Sequence, residues 1–423
     1  MIKFIFKGVL RDKHRSLLPI IVVSLGVFLT VLLSGWMQGI FSDMLTINAN
    51  QTTGHVKIMT RAYAENQSQL PNDLALVGID TLLPKLGKEF PNMQWVARIE
   101  FGALLDIPNH HGETRAQGPA FCKAIDLLSN PREIERLNIP TSIVKGKIPS
   151  KKGEVLISNV FSEKFNVNPG DTVTLFGSTM MGGMMIQSFR VSGTINFGST
   201  LLDRGAVILD LKDAQQALDM EDAASEILGY FNDGQYHDDL ATNLSARFNE
   251  QYAATKNPYA PQMFKMRDQN NLGQYLDLAD HMSSIMVFIF IVAMSIVLWN
   301  AGLLSSLRRH GEYGIRLALG EEKSHIYKTV LYESILIGII GSIVGTAFGL
   351  AVDYYLQEVG LDFSNMMKNV TMLMPSIYRA KITPELFYIG FFPGLLATTL
   401  GNAIAGIAIF KRKTASLFKE LAV

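Results

Sequence analysis

The chain has 423 residues, of which 48% are hydrophobic and 18% are charged, and its formal net charge is zero. Its single cysteine, Cys122, excludes an intrachain disulfide, and we expect its thiol to be a small buried apolar group. The sequence contains no Gly-x4-Gly-Lys-Ser/Thr segment for cradling nucleotide phosphates and no stripe of alternating basic and aromatic residues for binding nucleic acid.

Long apolar segments set the fold class. Residues 17–41, 282–307 and 386–410 contain no charged residue, and residues 334–352 continue the pattern after Glu333. Each approaches or exceeds the roughly 20 residues that cross about 30 Å of hydrocarbon. We therefore predict an α-helical membrane protein with four transmembrane helices. The first is expected to stay as an anchor, because its apolar run exceeds the about 7–15 residues of a signal-peptide core.

The distribution of charge predicts the orientation. Residues 1–16, 308–328 and 411–423 together carry a net charge of +9, whereas residues 42–281 hold 21 basic and 28 acidic residues, a net charge of −7. Cytoplasmic segments of membrane proteins are enriched in Lys and Arg. We therefore predict a multi-pass protein of the cell (inner) membrane with both termini in the cytoplasm.

The predicted parts follow in chain order. Residues 1–16 resemble an amphipathic interfacial helix. The predicted transmembrane helices are residues 17–41, 282–307, 329–352 and 386–410. Residues 42–281 form the predicted large mixed α/β extracytoplasmic domain, residues 308–328 a cytoplasmic segment, residues 353–385 a second extracytoplasmic loop, and residues 411–423 a cytoplasmic tail.

Within the large domain, period-two alternation predicts strands and period-3.6 patterns predict helices. The predicted strands are residues 55–59, 154–157, 172–176, 188–195 and 206–209. The predicted helices are residues 81–90, 159–165, 212–218 and 238–252. Helical stalks are expected at both ends of the domain, where it joins the first two spans.

The cytoplasmic segment 308–328 combines charged residues with glycines. The candidate residues are Arg308, Arg309, Glu312, Gly314, Arg316 and Gly320. Glu312 and Arg316 are four residues apart with the acid first, the favourable order for an intrahelical pair. The two glycines permit close approach and a sharp exit. The residues alone leave two interpretations open: a solvated anchor, or a short helix that contacts a cytoplasmic partner.

Resemblance to a known family favours the second interpretation. Residues 312–320 read EYGIRLALG, residues 331–334 read LYES, and a glycine-rich span follows. This pattern resembles the ABC transporter permeases of the FtsX/MacB/LolCE type. Residues 155–173 and 189–193 resemble the outer domain of the same family. The chain departs from the family pattern at Glu321, where a small residue is usual, and in its tail, which lacks the usual proline.

The resemblance implies a permease subunit without its own nucleotide-binding site. It implies that residues 308–320 dock on a separate cytoplasmic ATPase, which binds ATP and Mg²⁺, while this chain binds no cofactor. It further implies a homodimer or a heterodimer with a related permease. The expected activity is ATP-driven movement of the outer domain, for lipoprotein release or export of a lipid or amphiphilic compound.

Two alternatives remain open. One is a regulator of cell-wall hydrolases, as in FtsX-like proteins, although their outer domain is smaller. The other is a membrane-anchored receptor or adhesin outside the ABC class. No arrangement of nucleophile and base indicates an enzyme, and the pair His110 and His111 near Glu113 is expected to lie in a solvated loop rather than in a metal site.

Small residues in the spans predict close helix packing. Gly341, Gly345 and Gly349 repeat every fourth residue in the third span, and Gly35 and Gly39 do so in the first. Such spacing lets helix backbones approach closely in lipid. The partner can be another helix of the same chain or a second permease in a dimer.

Four methionines surround two glycines in the outer domain: Met180, Met181, Met184 and Met185. The pattern predicts a hairpin tip. Flexible, polarisable methionine side chains adapt to varied apolar ligands, so contact with membrane lipid, an acyl chain or a partner, such as a periplasmic acceptor or adaptor protein, is one hypothesis. A tip buried against the neighbouring subunit or the membrane is the alternative, and thioether binding of Cu(I) is a further one.

Overall fold

The structure is a computed structural model that describes residues 13–109, 112–197, 203–308, 315–363 and 377–411. The chain divides into two compact units. A helical unit comprises Met1–Ser42, Asp277–Asp362 and Ile377–Val423, and a globular unit comprises Asp43–Leu276 and Phe363–Ser376. Residues 43–276 are the globular domain.

In chain order, the helices are α1 (Lys13–Asn48), α2 (Arg61–Glu65), α3 (Ile79–Glu89), α4 (Pro131–Arg136), α5 (Ile139–Ser142), α6 (Asn159–Phe165), α7 (Leu211–Ala217), α8 (Asp238–Glu250), α9 (Leu272–Arg308), α10 (Lys323–Val359), α11 (Leu386–Ile389) and α12 (Phe391–Lys411).

The strands, in the same order, are β1 (Val56–Thr60), β2 (Leu76–Val77), β3 (Met93–Pro108), β4 (Thr114–Ile125), β5 (Ile143–Gly146), β6 (Glu154–Ser158), β7 (Thr172–Ser178), β8 (Met184–Ile195), β9 (Ala206–Asp210), β10 (Ala223–Ala224), β11 (Glu226–Phe231), β12 (Pro261–Lys265), β13 (Leu361–Asp362) and β14 (Ile377–Tyr378).

Long apolar helices dominate the helical unit. Within the described residues, Leu17–Thr53, Lys323–Val359 and Leu386–Ala405 are long and apolar enough to cross a membrane. The remaining predicted span falls on α9, whose shorter apolar stretch is Phe288–Val297. The described residues therefore contain three candidate membrane-spanning helices, and the span predicted at residues 282–307 stays a prediction.

The third apolar helix ends later than the sequence suggested. The prediction stopped it at residue 352 because a carboxylate follows. Helix α10 instead continues to Val359, and Asp353 is fully buried within it. The uncharged run ends before the helix does because Asp353 is buried inside the helix, and the predicted end of the membrane span at residue 352 stays a prediction.

A mixed sheet forms the centre of the globular domain. Its strand order is β12-β1-β11-β3-β4-β9-β6-β8-β5, and β7 pairs with β3 and β8. The pairs β4–β9 and β6–β8 are parallel, and the other pairs of this sheet are antiparallel. Apolar side chains on the sheet and on α3 and α7 form the main core, which contains Cys122 at 0% exposure. The mixed α/β prediction and the prediction of a buried thiol are confirmed.

Predicted elements agree best in the second half of the domain. Helix α6 has the predicted bounds, and β6, β7, β9 and α7 begin within one residue of the predicted positions. The long hairpin of β3 and β4 was not predicted. Its first strand buries the charged side chains of Arg98, Glu100 and Asp106, and their even spacing places all three on one face of the sheet.

Candidate functional site

In the predicted cytoplasmic segment, residues 315–318 form one helical turn. Gly320, with φ of 88°, ends this turn. Its N–H donates to the carbonyl of Leu317 at 3.1 Å, and the N–H of Glu321 donates to the carbonyl of Arg316 at 3.0 Å. These two bonds form a Schellman motif, in which glycine adopts the left-handed position at least cost. The turn therefore ends sharply just before α10 begins at Lys323.

The structure describes three of the six candidate residues of segment 308–328. Arg308 is the last residue of α9, and Arg316 and Gly320 belong to the turn described above. Arg309, Glu312 and Gly314 lie outside the described residues. The predicted pair of Glu312 and Arg316 therefore stays a prediction.

Two apolar side chains are exposed on this turn. Ile315 is 58% exposed and Leu319 is 83% exposed, and a spacing of four places them on one helix face. Leu317 packs instead with buried Ile326 and with Val330. The prediction from charges and glycines missed this exposed pair, although the spacing of two large apolar residues was a readable signal.

The glycines of α10 pack against α1. Three glycines on one face of α10 each meet a valine of α1. The pairs are Gly341 with Val23, Gly345 with Val27 and Gly349 with Val31. A Cβ atom added at any of the three would lie 2.7–2.8 Å from the valine Cβ. The small-residue face of the third span is thus filled by the same chain, and use of these glycines in a dimer stays a prediction.

Gly35 and Gly39 of α1 also contact the same chain. A Cβ atom at Gly35 would lie 2.4 Å from Oδ2 of Asp353, and one at Gly39 would lie 1.9 Å from the carbonyl oxygen of Arg379. Neither carboxylate oxygen of Asp353 has a hydrogen-bond partner among the described residues. Gly35 therefore makes room for a buried acid.

The methionine segment forms the predicted hairpin tip. β7 and β8 are joined at residues 179–183, where the N–H of Thr179 donates to the carbonyl of Gly183 at 2.9 Å. Met181 and Met184 are 81% and 79% exposed, whereas Met185 is 2% exposed in the core. Because side chains alternate along a strand, Met185 faces the interior. The predicted ligand contact is therefore corrected for Met185.

An open cleft lies beside this tip. Its volume is about 910 Å³, and it is lined by Met180, Met181, Leu104, Phe176 and Tyr259, together with the loop at residues 69–73. Ligand sites of drug-sized molecules are about 300–1,000 Å³. The wall combines flexible thioethers, aromatic rings and polar loop atoms, so it can hold an amphiphile with its apolar part against the hairpin.

His55 is a buried histidine in the globular domain. His55 is 3% exposed, and its Nδ1 accepts a hydrogen bond from the N–H of Phe231 at 3.0 Å. Burial, the main cause, lowers the pKa of His55 to about 4, against the opposing effect of Asp233. In the unfolded chain the pKa of histidine is about 6.5.

We expect the domain to lose about 3 kcal/mol of stability as the pH falls from 6.5 to 4, because in this window the unfolded chain binds a proton that the folded chain rejects. The measurement is hydrogen exchange of β11 amides in the full chain, corrected for the intrinsic effect of pH. His55→Asn keeps an acceptor at the Nδ1 position without the titration, and should flatten the profile. An equally steep profile in this variant would contradict the assignment.

The described residues hold no group of three or more His, Cys, Asp or Glu side chains arranged for a metal ion. His110 and His111 lie outside the described residues.

Comparison with protein families decides the class. The MacB-like periplasmic core domain matches residues 16–247, more than half of the chain. The FtsX-like permease C-terminal family matches residues 284–414. The chain belongs to the MacB/FtsX family of permeases. In this permease, the first match covers α1 and most of the globular domain, and the second begins within α9 and ends in the tail.

Individual relatives agree with this class. The permease is 24% identical over 311 residues to the lipoprotein-releasing system transmembrane protein LolC of Xylella fastidiosa, a match that covers 71% of this chain and 70% of LolC. It is 28% identical over 142 residues to the macrolide export ATP-binding/permease protein MacB of Psychrobacter cryohalolentis, but this match covers 32% of the chain and 21% of MacB. The chain is thus a permease component of the MacB/LolC type of ABC transporter.

A solved structure also aligns with the permease. It is the periplasmic region of MacB from Actinobacillus actinomycetemcomitans, with a TM-score of 0.36 at 10% identity, and the alignment covers 53% of this chain and 94% of that one.

Proposed function

We propose that this permease works with a separate cytoplasmic ATPase and converts ATP hydrolysis into movement of the globular domain. The observation that carries the proposal is the family match across both parts of the chain, a MacB-like core domain followed by an FtsX-like permease domain. The sequence contains no P-loop, so ATP and Mg²⁺ are assigned to the partner subunit.

The proposed topology has four spans in the cell (inner) membrane, with both termini in the cytoplasm. Helix α9 supplies the second of these spans in chain order. Its residues 282–307 are uncharged, and the helix is continuous from Leu272 to Arg308. The net charge of +9 on residues 1–16, 308–328 and 411–423 supports this orientation, because cytoplasmic segments are enriched in Lys and Arg. The globular domain then lies on the outer side.

The proposed ATPase contact is the helical turn at residues 315–320. Exposed Ile315 and Leu319 would enter a groove of the ATPase, in the way that apolar residues at i and i+4 anchor helices in grooves. The charged residues predicted beside them, including Glu312 and Arg316, would surround this apolar contact. A second permease, identical or related, would complete the transporter.

The proposed substrate is a lipid-modified or amphiphilic molecule handled from the outer side. The cleft beside the methionine tip supports this class through its apolar hairpin wall and its volume of about 910 Å³. LolC is named for lipoprotein release and MacB for macrolide export, and both cargo types have apolar parts. A periplasmic acceptor protein is a further proposed partner for a released lipoprotein.

The function is tested in vesicles that contain the permease with its copurified ATPase. One arm follows release of an acylated lipoprotein into the soluble fraction, and a second follows export of an amphiphilic dye. ATP-dependent movement in either arm supports transport and identifies the cargo class. ATP hydrolysis without movement in both arms would favour the FtsX-like regulator of cell-wall hydrolases.

Replacing Met181 by serine is expected to weaken cargo binding by about fivefold, since the loss of one apolar contact costs about 1 kcal/mol. Folding should be unaffected, because the side chain is 81% exposed. The measurement is titration of the permease with a fluorescent acylated peptide. Met184→Ser is the matched control, because Met184 is 79% exposed on the same hairpin but does not line the cleft. Equal affinity of Met181→Ser and the control would contradict this site.

A further inference from the structure

The end of α1 enters a layer of buried ionisable side chains in the globular domain. After Asn48 the chain makes one π-helical turn, Ala49–Thr53, and leaves it at Gly54 with φ of 61°. The last carbonyl groups of a helix have no intrahelical donors and carry the negative end of the helix dipole. Other donors must therefore satisfy this end, which is called the first stalk below (residues 43–53).

Three side chains of the sheet donate to the stalk. Arg98 donates to the carbonyl oxygens of residues 50 and 51 at 2.9 and 3.2 Å. The hydroxyl of Tyr230 donates to the carbonyl of residue 49 at 3.2 Å, and the Nζ of Lys123 also donates to residue 51. Arg98, Lys123 and Tyr230 are called the stalk clamp.

The clamp is buried and held by carboxylates. Arg98 is 0% exposed and Lys123 is 5% exposed. The Nε of Arg98 donates to Glu133 at 2.7 Å, and Lys123 pairs with Glu100 at 3.0 Å. Burial opposes ionisation of Glu100, but Lys123, Lys57 and Arg98 together hold its pKa below the ordinary value. The carboxylate is thus charged beside the clamp.

The layer has more cations than carboxylates. It contains the four cations Lys57, Arg98, Lys123 and Arg136 and the three acids Glu100, Glu133 and Glu226. The carbonyl end of the stalk supplies a partial negative charge of about one half, which offsets part of the excess. Withdrawing or turning the stalk would take the carbonyl acceptors away from buried N–H groups of Arg98 and Lys123, and unsatisfied buried donors are costly.

The second stalk is attached differently. It begins at Leu272, after a turn in which Asn270 and Asn271 both take left-handed backbone, with φ of 51° and 57°. Leu272 packs with Ala49 and Met266 in a small apolar cluster. Two consecutive non-glycine residues in this conformation are uncommon, and asparagine tolerates it better than most. This connection therefore rests on a polar turn and apolar packing.

We propose that the stalk clamp fixes the first stalk to the globular domain, so that the two move as one rigid body, while the second stalk turns about Asn270 and Asn271. The inference rests on the proposed function, in which helix movement reaches the outer domain. Force then enters the domain through α1, and the clamp is the joint that transmits it.

The test measures distances by double electron–electron resonance in the full chain in nanodiscs. One spin-label pair joins Thr46 on the first stalk to Val160 on α6, and a second joins Gln274 on the second stalk to Val160. The native Cys122 stays in place, since burial raises the pKa of its thiol and it should not take the label. We expect one narrow distribution for the first pair and a broader one for the second.

The variant Lys123→Met/Glu100→Gln removes one clamp donor together with its carboxylate, so the charge balance of the layer is kept. We expect it to lose the narrow distribution of the first pair. The matched control Lys57→Met/Glu226→Gln removes a pair that is more deeply buried, each side chain 1% exposed, and that makes no hydrogen bond to the stalk. It should keep the narrow distribution. Arg98→Lys, which retains the charge but cannot bridge both carbonyls, is the second clamp variant should the first fail to fold.

Equal distributions in the clamp variant and the control would overturn the inference, as would a first-stalk distribution that is already as broad as the second in the wild type. These measurements use the permease alone and do not depend on an ATPase. In the complex, the clamp variant should retain ATP hydrolysis and lose transport. If no ATPase copurifies, the proposed function fails while the result for the joint still stands.

Discussion

Gly345→Leu is expected to prevent α1 and α10 from packing and to remove most folded protein from the membrane. A Cβ atom at this position would lie 2.5 Å from the backbone oxygen of Ser24 and 2.8 Å from the Cβ of Val27. Backbone atoms cannot yield as a long side chain can, and leucine adds three more carbons. Overpacking costs about 1–3 kcal/mol for small additions, so we expect about 3 kcal/mol or more for this variant.

Thermal unfolding in detergent, followed by size-exclusion chromatography, measures this effect. Ala347→Leu is the matched control, because Ala347 is exposed on the same helix and the added carbons meet no neighbour. Gly39→Ala should cost more than Gly35→Ala, since the first meets the backbone of Arg379 and the second meets the side chain of Asp353. Equal stability of Gly345→Leu and Ala347→Leu would show that the helices do not pack as described.

Leu319→Glu is expected to weaken association with the ATPase by about thirtyfold or more. Buried apolar anchors at protein interfaces contribute about 2 kcal/mol or more each, and a carboxylate cannot enter an apolar groove without losing hydration. Leu319 is 83% exposed, so the variant should fold and reach the membrane normally. The measurement is the affinity of purified ATPase for permease in nanodiscs.

The matched control for this prediction is Leu361→Glu. Leu361 is 39% exposed just beyond the other end of α10, which the proposed topology places outside the cytoplasm. Ile315→Glu should act like Leu319→Glu, because the two side chains share one face of the turn. Unchanged ATPase affinity in both variants would contradict docking through this apolar pair.

Apolar runs and local turn signals made much of the fold readable. An uncharged stretch of 25 residues at positions 17–41 has few stable alternatives to a membrane helix. From β6 to α7, short alternating strands are separated by glycine, proline and asparagine turns, so the local pattern and the final structure agree. The hairpin tip at the methionines was readable for the same reason.

The parts of the fold that depend on long-range electrostatic contacts could not be predicted from the sequence. β3 carries Arg98, Glu100 and Asp106, all buried, and the partners of Arg98 lie on α4, on β11 and at the end of α1. Only folding brings these groups together, and no strand was predicted at residues 93–108. The stalk clamp could not be predicted for the same reason, since a sequence pattern does not show which backbone carbonyl groups a distant side chain will contact.

The sequence also predicted some features of the candidate sites and not others. The glycine repeat of α10 predicted close packing but could not identify its partner, because Val23, Val27 and Val31 are ordinary apolar residues in an apolar helix. Met184 and Met185 could not be assigned to surface and core until the strand register of β8 was known. Ile315 and Leu319 were overlooked because two apolar residues beside several charges resemble the end of a span.

Purification of the tagged permease from its native membrane asks directly whether the chain has an ATPase partner. Copurifying proteins are identified by mass spectrometry, and ATP hydrolysis is measured for wild type, for Leu319→Glu and for Glu312→Ala/Arg316→Ala. We expect an ATP-binding-cassette protein that copurifies and hydrolyses ATP with the wild type and is lost or uncoupled in the variants. A permease that purifies alone, without any nucleotide-hydrolysing partner, would contradict the proposed function and favour the membrane-anchored receptor.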